Sequence, residues 1–154
     1  MAAGRPAREE LERRIDERAD EFVGWLQRLV AIPSVSATRE GIRECAGELA
    51  SLVNSLGVRT EILETGGEPL VWGTIGQGSP RVVLYGHYDV QPAGPPEEWR
   101  DPPFAATIRD GAVWGRGVGD NKGQLLAHLC ALAAWLDVHE IGRASCRERV
   151  YVLV

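Results

Sequence analysis

A short apolar run that stops at a glycine and is followed by two potential ligands most constrains how this chain can fold. Residues 82–85 are apolar at consecutive positions, which is typical of a strand covered on both faces of an α/β sheet. Gly86 ends the run, and His87 and Asp89 follow two positions apart. Residues i and i+2 of an extended chain point to the same side, so these two side chains can face one site. Ligands of open α/β sheets lie beyond the carboxyl ends of strands, so an α/β fold with a site here is predicted.

The His-x-Asp spacing suits a metal ion. A zinc-binding imidazole usually donates its second ring N–H to a carboxylate or a carbonyl, which fixes the tautomer and raises the basicity of the ligand. Asp89 can fill that role for His87, or it can be a ligand itself. By itself, a single His-x-Asp is more often a pair of polar residues in a turn after a strand.

A second stretch, the glycine-rich segment 115–123, favours the metal over the simple turn. Asp120 lies between the glycines and the start of a helical apolar pattern, and glycines let the backbone aim a carboxylate inward. A phosphate cradle is the alternative reading of such a loop. The spacing of the glycines fits neither the dinucleotide fingerprint nor a Walker loop, since no Ser or Thr follows Lys122. The two stretches together therefore favour a metal site over a nucleotide site.

The motifs between residues 82 and 123 resemble, in their order, the catalytic-domain signature of the di-zinc amidohydrolases. That family includes acetylornithine deacetylase, succinyl-diaminopimelate desuccinylase, aminoacylase, glutamate carboxypeptidase and the carnosine-type dipeptidases. The His-Tyr-Asp-Val-Gln-Pro form is most similar to the dipeptidase branch, and a weaker resemblance extends back to residues 32–36. The segments that carry the resemblance are Gly-His-Tyr-Asp-Val-Gln-Pro at 86–92, Trp99 with Pro103 and Phe104, Asp110-Gly111, and Gly-Arg-Gly-Val-Gly-Asp-Asn-Lys-Gly at 115–123.

The resemblance implies a fold, a reaction and a role for each of three residues. The fold is the three-layer, mixed-sheet α/β catalytic domain of zinc peptidases, which hydrolyses a peptide or N-acyl amide bond through a water held between two zinc ions. His87 would be a zinc ligand, Asp89 a catalytic residue that orients His87, and Asp120 the ligand that bridges both metals. The bond from Asp120 to Asn121 would be cis. Cobalt or manganese would also suit these donors, and the substrate would be a small peptide or an N-acyl amino acid.

The end of the chain departs from the family pattern. In the family, a Glu-Glu pair that supplies the general base and a zinc ligand follows the bridging aspartate, whereas no such pair occurs after residue 98. We therefore interpret residues 1–137 as a truncated, N-terminal part of the catalytic domain, without the family's lid or dimerisation domain, through which full-length members form homodimers. Residues 138–154 are interpreted as an atypical tail of foreign or out-of-frame sequence, or the end of a truncated gene product.

Enzymatic activity of the chain itself is left open for the same reason. One hypothesis is a part of a metal-dependent amidohydrolase or dipeptidase. The alternative is a non-catalytic half-domain that associates or aggregates through an exposed sheet edge.

The composition limits which kinds of binding partner and which cellular compartment are expected. The formal charge of −5, from 17 basic and 22 acidic residues, argues against a nucleic-acid surface. Cys45, Cys130 and Cys146 show no C-x-x-C spacing, which favours reduced thiols in a cytoplasmic protein. The longest apolar run, 125–136, is too short to cross a membrane. His128 interrupts it and is predicted to be a packed or half-exposed residue rather than a ligand.

Apolar periodicity and turn residues place the remaining elements. The loop 91–103 contains five prolines, and we expect Trp99 and Phe104 to anchor it to the domain rather than to stack on a substrate. Strands 70–75 and 81–85 are expected to pair as an antiparallel hairpin. The predicted helices are 9–31, 39–56 and 122–136, and the other predicted strands are 58–63 and the two arms of a hairpin at 107–114.

Overall fold

The computed structural model describes residues 8–138 and 149–154. The helices of this part are α1 (Arg8–Glu17), α2 (Ala19–Ala31), α3 (Ile42–Ser55) and α4 (Lys122–Val138), with a short 3-10 turn at Pro96–Glu98. The strands are β1 (Arg59–Leu63), β2 (Leu70–Gly76), β3 (Arg81–Tyr85), β4 (Thr107–Arg109), β5 (Ala112–Trp114) and β6 (Arg149–Leu153). Most predicted elements are present, with ends displaced by up to three residues.

The N-terminal helix is divided in two, so the prediction of one helix over residues 9–31 was wrong. Arg18 lies between α1 and α2 with φ −109° and ψ 10°. Its guanidinium forms ion pairs with Glu21 and with Asp137 of α4, and it lies over the rings of Phe22 and Trp25. The break falls within a run of charged residues, and the helical spacing of the apolar residues continues from one side of it to the other. Periodicity therefore could not reveal it.

The main sheet has the order β1-β2-β6-β3, and the last strand of the chain lies inside it. β2 pairs with β1 and β6 in antiparallel orientation, whereas β3 pairs with β6 in parallel orientation. The predicted hairpin of β2 and β3 was therefore wrong, although the two strands do run in opposite directions. Val152 of β6 lies opposite Gly73 on one side and Leu84 on the other, and it is fully buried. A short connecting loop suggested direct pairing, but an apolar strand from far along the chain occupies that position.

β3 is an edge strand in the described part of the chain. One of its faces is also exposed, contrary to the expectation that both faces are covered. Val83 and Tyr85 lie two positions apart on it and are 57% and 67% exposed. Consecutive apolar residues predict burial on two faces only when other elements are present to cover them. Here the described residues leave one face of β3 uncovered. The hairpin of β4 and β5 forms a separate two-stranded sheet around Asp110-Gly111, as predicted.

The core lies between the helices and one face of the main sheet. α3 packs on β1 and β2, and α2 packs against both α3 and α4. β2 alternates strictly, with Val71, Gly73 and Ile75 buried, which is the pattern of a strand with one covered face. The α/β fold with a mixed sheet is thus confirmed. None of the described helices combines the length and the apolar character that a membrane crossing requires.

We predict opposite effects for two Gly→Ala substitutions. A Cβ atom at Gly73 would lie 2.9 Å from Val58 Cγ1 and 3.2 Å from Val53 Cγ1, so Gly73→Ala overpacks the contact between α3 and the sheet. We expect it to lower the free energy of unfolding by about 1–3 kcal/mol. Gly47 lies inside α3 with open space around it, so Gly47→Ala should raise stability by about 0.5–1 kcal/mol. Urea denaturation measures both; a Gly73→Ala chain as stable as the wild type would contradict this packing.

Candidate metal centre

The first part of the site is the chain that leaves β3. His87 and Asp89 lie on the same side of this extended segment, as their spacing predicts. The Nδ1 atom of His87 is 3.1 Å from the Oδ1 atom of Asp89 and 3.1 Å from the Asp89 carbonyl oxygen. Asp89 therefore holds the ring of His87 through two acceptors.

The second part is the loop before α4, which carries Asp120. Its Oδ1 atom lies 3.2 Å from Nε2 of His87, across a separation of 33 positions in the sequence. The structure thus brings together all three side chains that the sequence singled out. The peptide bond between Asp120 and Asn121 is cis, as the resemblance implies.

The hydrogen-bond partners of His87 favour a positive charge next to its Nε2 atom. Nδ1 faces two acceptors from Asp89, so this nitrogen carries a proton. A neutral ring would then present the lone pair of Nε2 to the carboxylate of Asp120, which is repulsive. A cation between Nε2 and Asp120 removes the repulsion. Asp120 is 82% exposed and His87 43%, so a cation can reach them from solvent.

The three side chains line an open cleft of about 220 Å³. Its floor is the glycine-rich loop, and its other walls come from the segment after β3. The described lining is His87, Asp89, Val90, Gln91, Gly115, Arg116, Gly117, Gly119 and Asp120.

Two close contacts join the segment after β3 to the glycine-rich loop. The backbone N–H of His87 donates to Oδ1 of Asn121 at 3.3 Å. A Cβ atom on Gly86 would lie 3.1 Å from that same oxygen and 3.1 Å from Leu125 Cδ1, so any larger residue would push these neighbours away by a few tenths of an ångström. Gly117 has a φ of +90°, and a Cβ there would lie 2.7 Å from Val90 Cγ1. The glycines of both motifs thus serve to bring the two segments into contact.

The proline-rich loop is held beside the cleft by Trp99, which the sequence predicted as an anchor. The indole Nε1 of Trp99 donates to the carbonyl of Ala93 at 2.8 Å. The guanidinium of Arg116 lies 5.3 Å from the centre of the Trp99 ring and donates to the same carbonyl at 3.4 Å. Arg116 thereby links this loop to the glycine-rich loop.

Three buried residues next to the site were not singled out as functional from the sequence. Tyr88 points away from the cleft, and its hydroxyl donates to the carbonyl of Pro69 at 2.6 Å. Burial raises the pKa of Tyr88 to about 12. Ser34 and Lys122 are also fully buried, and burial lowers the pKa of Lys122. Lys122 is the single lysine of the sequence and stands inside a motif, a signal that could have identified it.

Other titratable residues named from the sequence lie away from the cleft. His128 is exposed on α4 and does not line the cleft. Cys45 and Cys130 are free thiols on helices α3 and α4, and burial raises the pKa of both. Cys146 lies outside the described residues.

The donors present fit zinc in kind and in spacing but are few in number. Zinc lies about 2.0–2.2 Å from imidazole nitrogen and carboxylate oxygen, so two ligands of one ion are roughly 3–3.5 Å apart. The 3.2 Å between His87 Nε2 and Asp120 Oδ1 falls in this range. Within residues 8–138 and 149–154, no group of three or more His, Cys, Asp or Glu side chains could hold an ion. The described residues therefore supply two donors of the three or four that zinc usually has.

Comparison with known proteins identifies the class and then the family. Residues 83–142, which include His87, Asp89 and Asp120, match the family described as Peptidase family M20/M25/M40. The matched segment ends at residue 142, and the predicted tail begins at residue 138. The fold and the matched motifs are those of a peptidase catalytic domain of the α/β class. The chain belongs to the M20/M25/M40 peptidase family.

The similarity covers most of this chain but a minor part of each relative. The chain is 39% identical over 111 residues to a succinyl-diaminopimelate desuccinylase of Stenotrophomonas maltophilia, covering 72% of this chain and 29% of that protein. A crystal structure of the M20 family metallo-carboxypeptidase Sso-CP2 from Sulfolobus solfataricus matches with a TM-score of 0.79 and 38% identity, over 86% and 30% of the two chains. Human carnosine dipeptidase 1 matches with a TM-score of 0.82 and 29% identity, over 94% and 33%.

We predict that Tyr88→Phe changes both the stability and its dependence on alkaline pH. Loss of the hydrogen bond to Pro69 should lower the free energy of unfolding at pH 7 by about 0.5–1.5 kcal/mol. The raised pKa means that the folded chain keeps the Tyr88 proton between pH 10 and about 12, while the unfolded chain releases it. The wild type should therefore lose stability as pH rises through this window, and Tyr88→Phe should lose less. Urea denaturation at several pH values measures this; equal losses would place the phenol in water.

Proposed function

We propose that this chain contributes His87 and Asp120 to the two-zinc centre of a metal-dependent amidohydrolase of the dipeptidase or deacylase type. The reaction is hydrolysis of a peptide bond or an N-acyl amide bond. The observation that carries the proposal is the approach of His87 Nε2 to the Asp120 carboxylate at 3.2 Å, with the opposite ring nitrogen held by Asp89. Such a pairing leaves a place for a divalent cation between a nitrogen and an oxygen donor.

Each of the three residues has a distinct task in this proposal. His87 keeps its proton on Nδ1 and offers the Nε2 lone pair as a ligand. Asp89 accepts that proton in a hydrogen bond, which orients the ring and raises the basicity of Nε2. Asp120, whose carboxylate is exposed, would be the ligand that the two zinc ions share. Bound zinc would lower the pKa of water towards about 7 and polarise the carbonyl of the substrate.

Further donors and the general base would come from residues beyond the described part. The chain spans 29% of the length of the desuccinylase and 30% and 33% of the two peptidase structures. Those relatives are, by name, a desuccinylase, a carboxypeptidase and a dipeptidase, so a small peptide or an N-acyl amino acid is the proposed substrate class. We also propose the cytoplasm as the location and a homodimer for the full-length enzyme, as the resemblance implies.

We predict that His87→Ala and Asp120→Ala each weaken zinc binding by the chain. Asp89→Asn should weaken it by about 10–100-fold, which is typical for the partner of a metal-binding histidine. His87→Ala and Asp120→Ala should each reduce the zinc affinity by at least the same factor. Zinc titration followed by competition with a chromophoric chelator measures the affinities.

Matched controls come from residues of the same types outside the cleft. His128→Ala and Asp20→Ala remove an exposed imidazole and an exposed carboxylate from helices, and both should leave zinc affinity unchanged. Retained affinity in His87→Ala or Asp120→Ala would disprove the assignment. With dipeptides and added zinc we expect negligible turnover, since the described residues provide two donors. Chelator-sensitive hydrolysis would show that the chain holds a more complete site.

A second, non-catalytic function is favoured by the exposed edge of the sheet. β3 ends the strand order, so the outer side of its backbone is unpaired within the described residues. Val83 and Tyr85 add an exposed apolar surface to this edge. Such an edge can pair with a strand of another chain, so this half-domain could associate through β3.

We predict that Val83→Lys reduces self-association of the chain, because a charged side chain on an edge strand disfavours pairing. Ile108→Lys on β4 is a matched control, since Val83 and Ile108 are both 57% exposed. Sedimentation at several concentrations measures the oligomeric state. A monomeric wild type, or equal effects of both substitutions, would exclude association through β3.

A further inference from the structure

One short segment, residues 29–35, comprises the last residues of α2 and those that follow it, and it contacts both of the loops that carry the candidate ligands. We call it the α2 exit segment. It reaches the loop of Asp120 through Lys122, and it reaches the loop of His87 and Asp89 through Ser34. The two loops, far apart in sequence, therefore share one support.

The contact with Lys122 follows from a proline at the end of α2. The carbonyl of Leu29 would normally accept a hydrogen bond from the residue four positions later, but Pro33 has no N–H. Nζ of Lys122 donates to this carbonyl at 2.7 Å and to the carbonyl of Ile32 at 2.6 Å. An ammonium group is favoured here because the C-terminal end of a helix carries partial negative charge. Lys122 follows Asp120 by two positions, so the loop of Asp120 is tied to α2.

The contact with Ser34 holds the backbone on both sides of Asp89. Ser34 is fully buried and has a φ of 44°. Its hydroxyl donates to the carbonyl of Tyr88 at 2.7 Å, and its own carbonyl accepts from the N–H of Val90 at 2.9 Å. These two partners flank Asp89, which in turn holds His87.

We propose that Lys122 and Ser34 are positioning residues that hold His87 and Asp120 at the separation a shared cation needs. This inference rests on the proposed function, in which His87 and Asp120 are ligands. The described lining of the cleft includes neither Lys122 nor Ser34, so both act through the backbone that carries the ligands. Ligand sets tolerate displacements of only about 0.5 Å, so release of either loop from the α2 exit segment weakens metal binding.

The test compares variants that remove the hydrogen bonds of Lys122 or Ser34 with control variants that leave both of these residues in place. Lys122→Met keeps the length of the side chain and removes the ammonium, and Ser34→Ala removes the hydroxyl. Ser55→Ala is the matched control for serine, because its hydroxyl also donates to a backbone carbonyl, that of Leu52 at 2.7 Å, and Ser55 lies at the end of α3 outside the lining of the cleft. Leu129→Ala is the control for lost packing in α4, since Leu129 is fully buried there.

Two measurements are made on each variant. The first is zinc affinity, and the second is the position of the His87 ring signals in the ¹H–¹⁵N spectrum of the metal-free chain, which has three histidines to assign. Lys122→Met and Ser34→Ala should each weaken zinc binding about 10–100-fold, as expected for residues that orient metal ligands. Both should also shift the His87 ring signals. Leu129→Ala should lower the melting temperature, Ser55→Ala on the exposed end of α3 should change it little, and neither should change the zinc affinity or the His87 signals.

Unchanged zinc affinity and unchanged His87 signals in a folded Lys122→Met or Ser34→Ala chain would overturn the proposal. An equal loss of zinc affinity in Ser55→Ala and Leu129→Ala would also overturn it, because the effect would then be general destabilisation. If Lys122→Met does not fold, Ser34→Ala decides. A wild type and a His87→Ala chain with equal zinc affinity would instead disprove the proposed function, and the His87 signals of the metal-free variants would still decide the positioning roles.

Discussion

The site depends on one electrostatic requirement, which is a positive charge between His87 and Asp120. Asp89 fixes the proton on the far side of the imidazole, so the near side presents a lone pair to a carboxylate at 3.2 Å. A cation between the two groups makes that contact favourable. The close approach at Gly86, the bond from His87 to Asn121 and the ties to the α2 exit segment all bring these two groups together.

The sheet has a topology in which the end of the chain completes the support of the site. β6 lies between β2 and β3, and Val152 and Val154 pack into the core. The N–H of Gly86 donates to the carbonyl of Leu153 at 3.1 Å, so β6 extends its pairing to the residue before His87. The origin of residues 138–154 as foreign or native sequence stays a prediction. Their last six residues are nevertheless part of the fold as described.

The proteins that are similar to this chain carry names that denote different substrates. Relatives whose names denote a desuccinylase, a carboxypeptidase and a dipeptidase are all similar to this chain, at 39%, 38% and 29% identity. The matched segment contains His87, Asp89 and Asp120, the three candidate residues of the site. The dipeptidase-like form of the motif at 86–92 therefore indicates the metal chemistry better than it indicates the substrate.

The sequence alone determined the class of fold, the strand that leads to the site and the three residues His87, Asp89 and Asp120. These follow from local rules, since the period of apolar residues defines each element, the i, i+2 spacing puts His87 and Asp89 on one side, and the glycine-rich loop before a helix singled out Asp120. Local rules could not show that β6 separates β2 from β3 or that Arg18 breaks the first helix. They also could not show that Lys122 and Ser34 meet the α2 exit segment. Those features depend on contacts between residues distant in sequence, which only the tertiary structure decides.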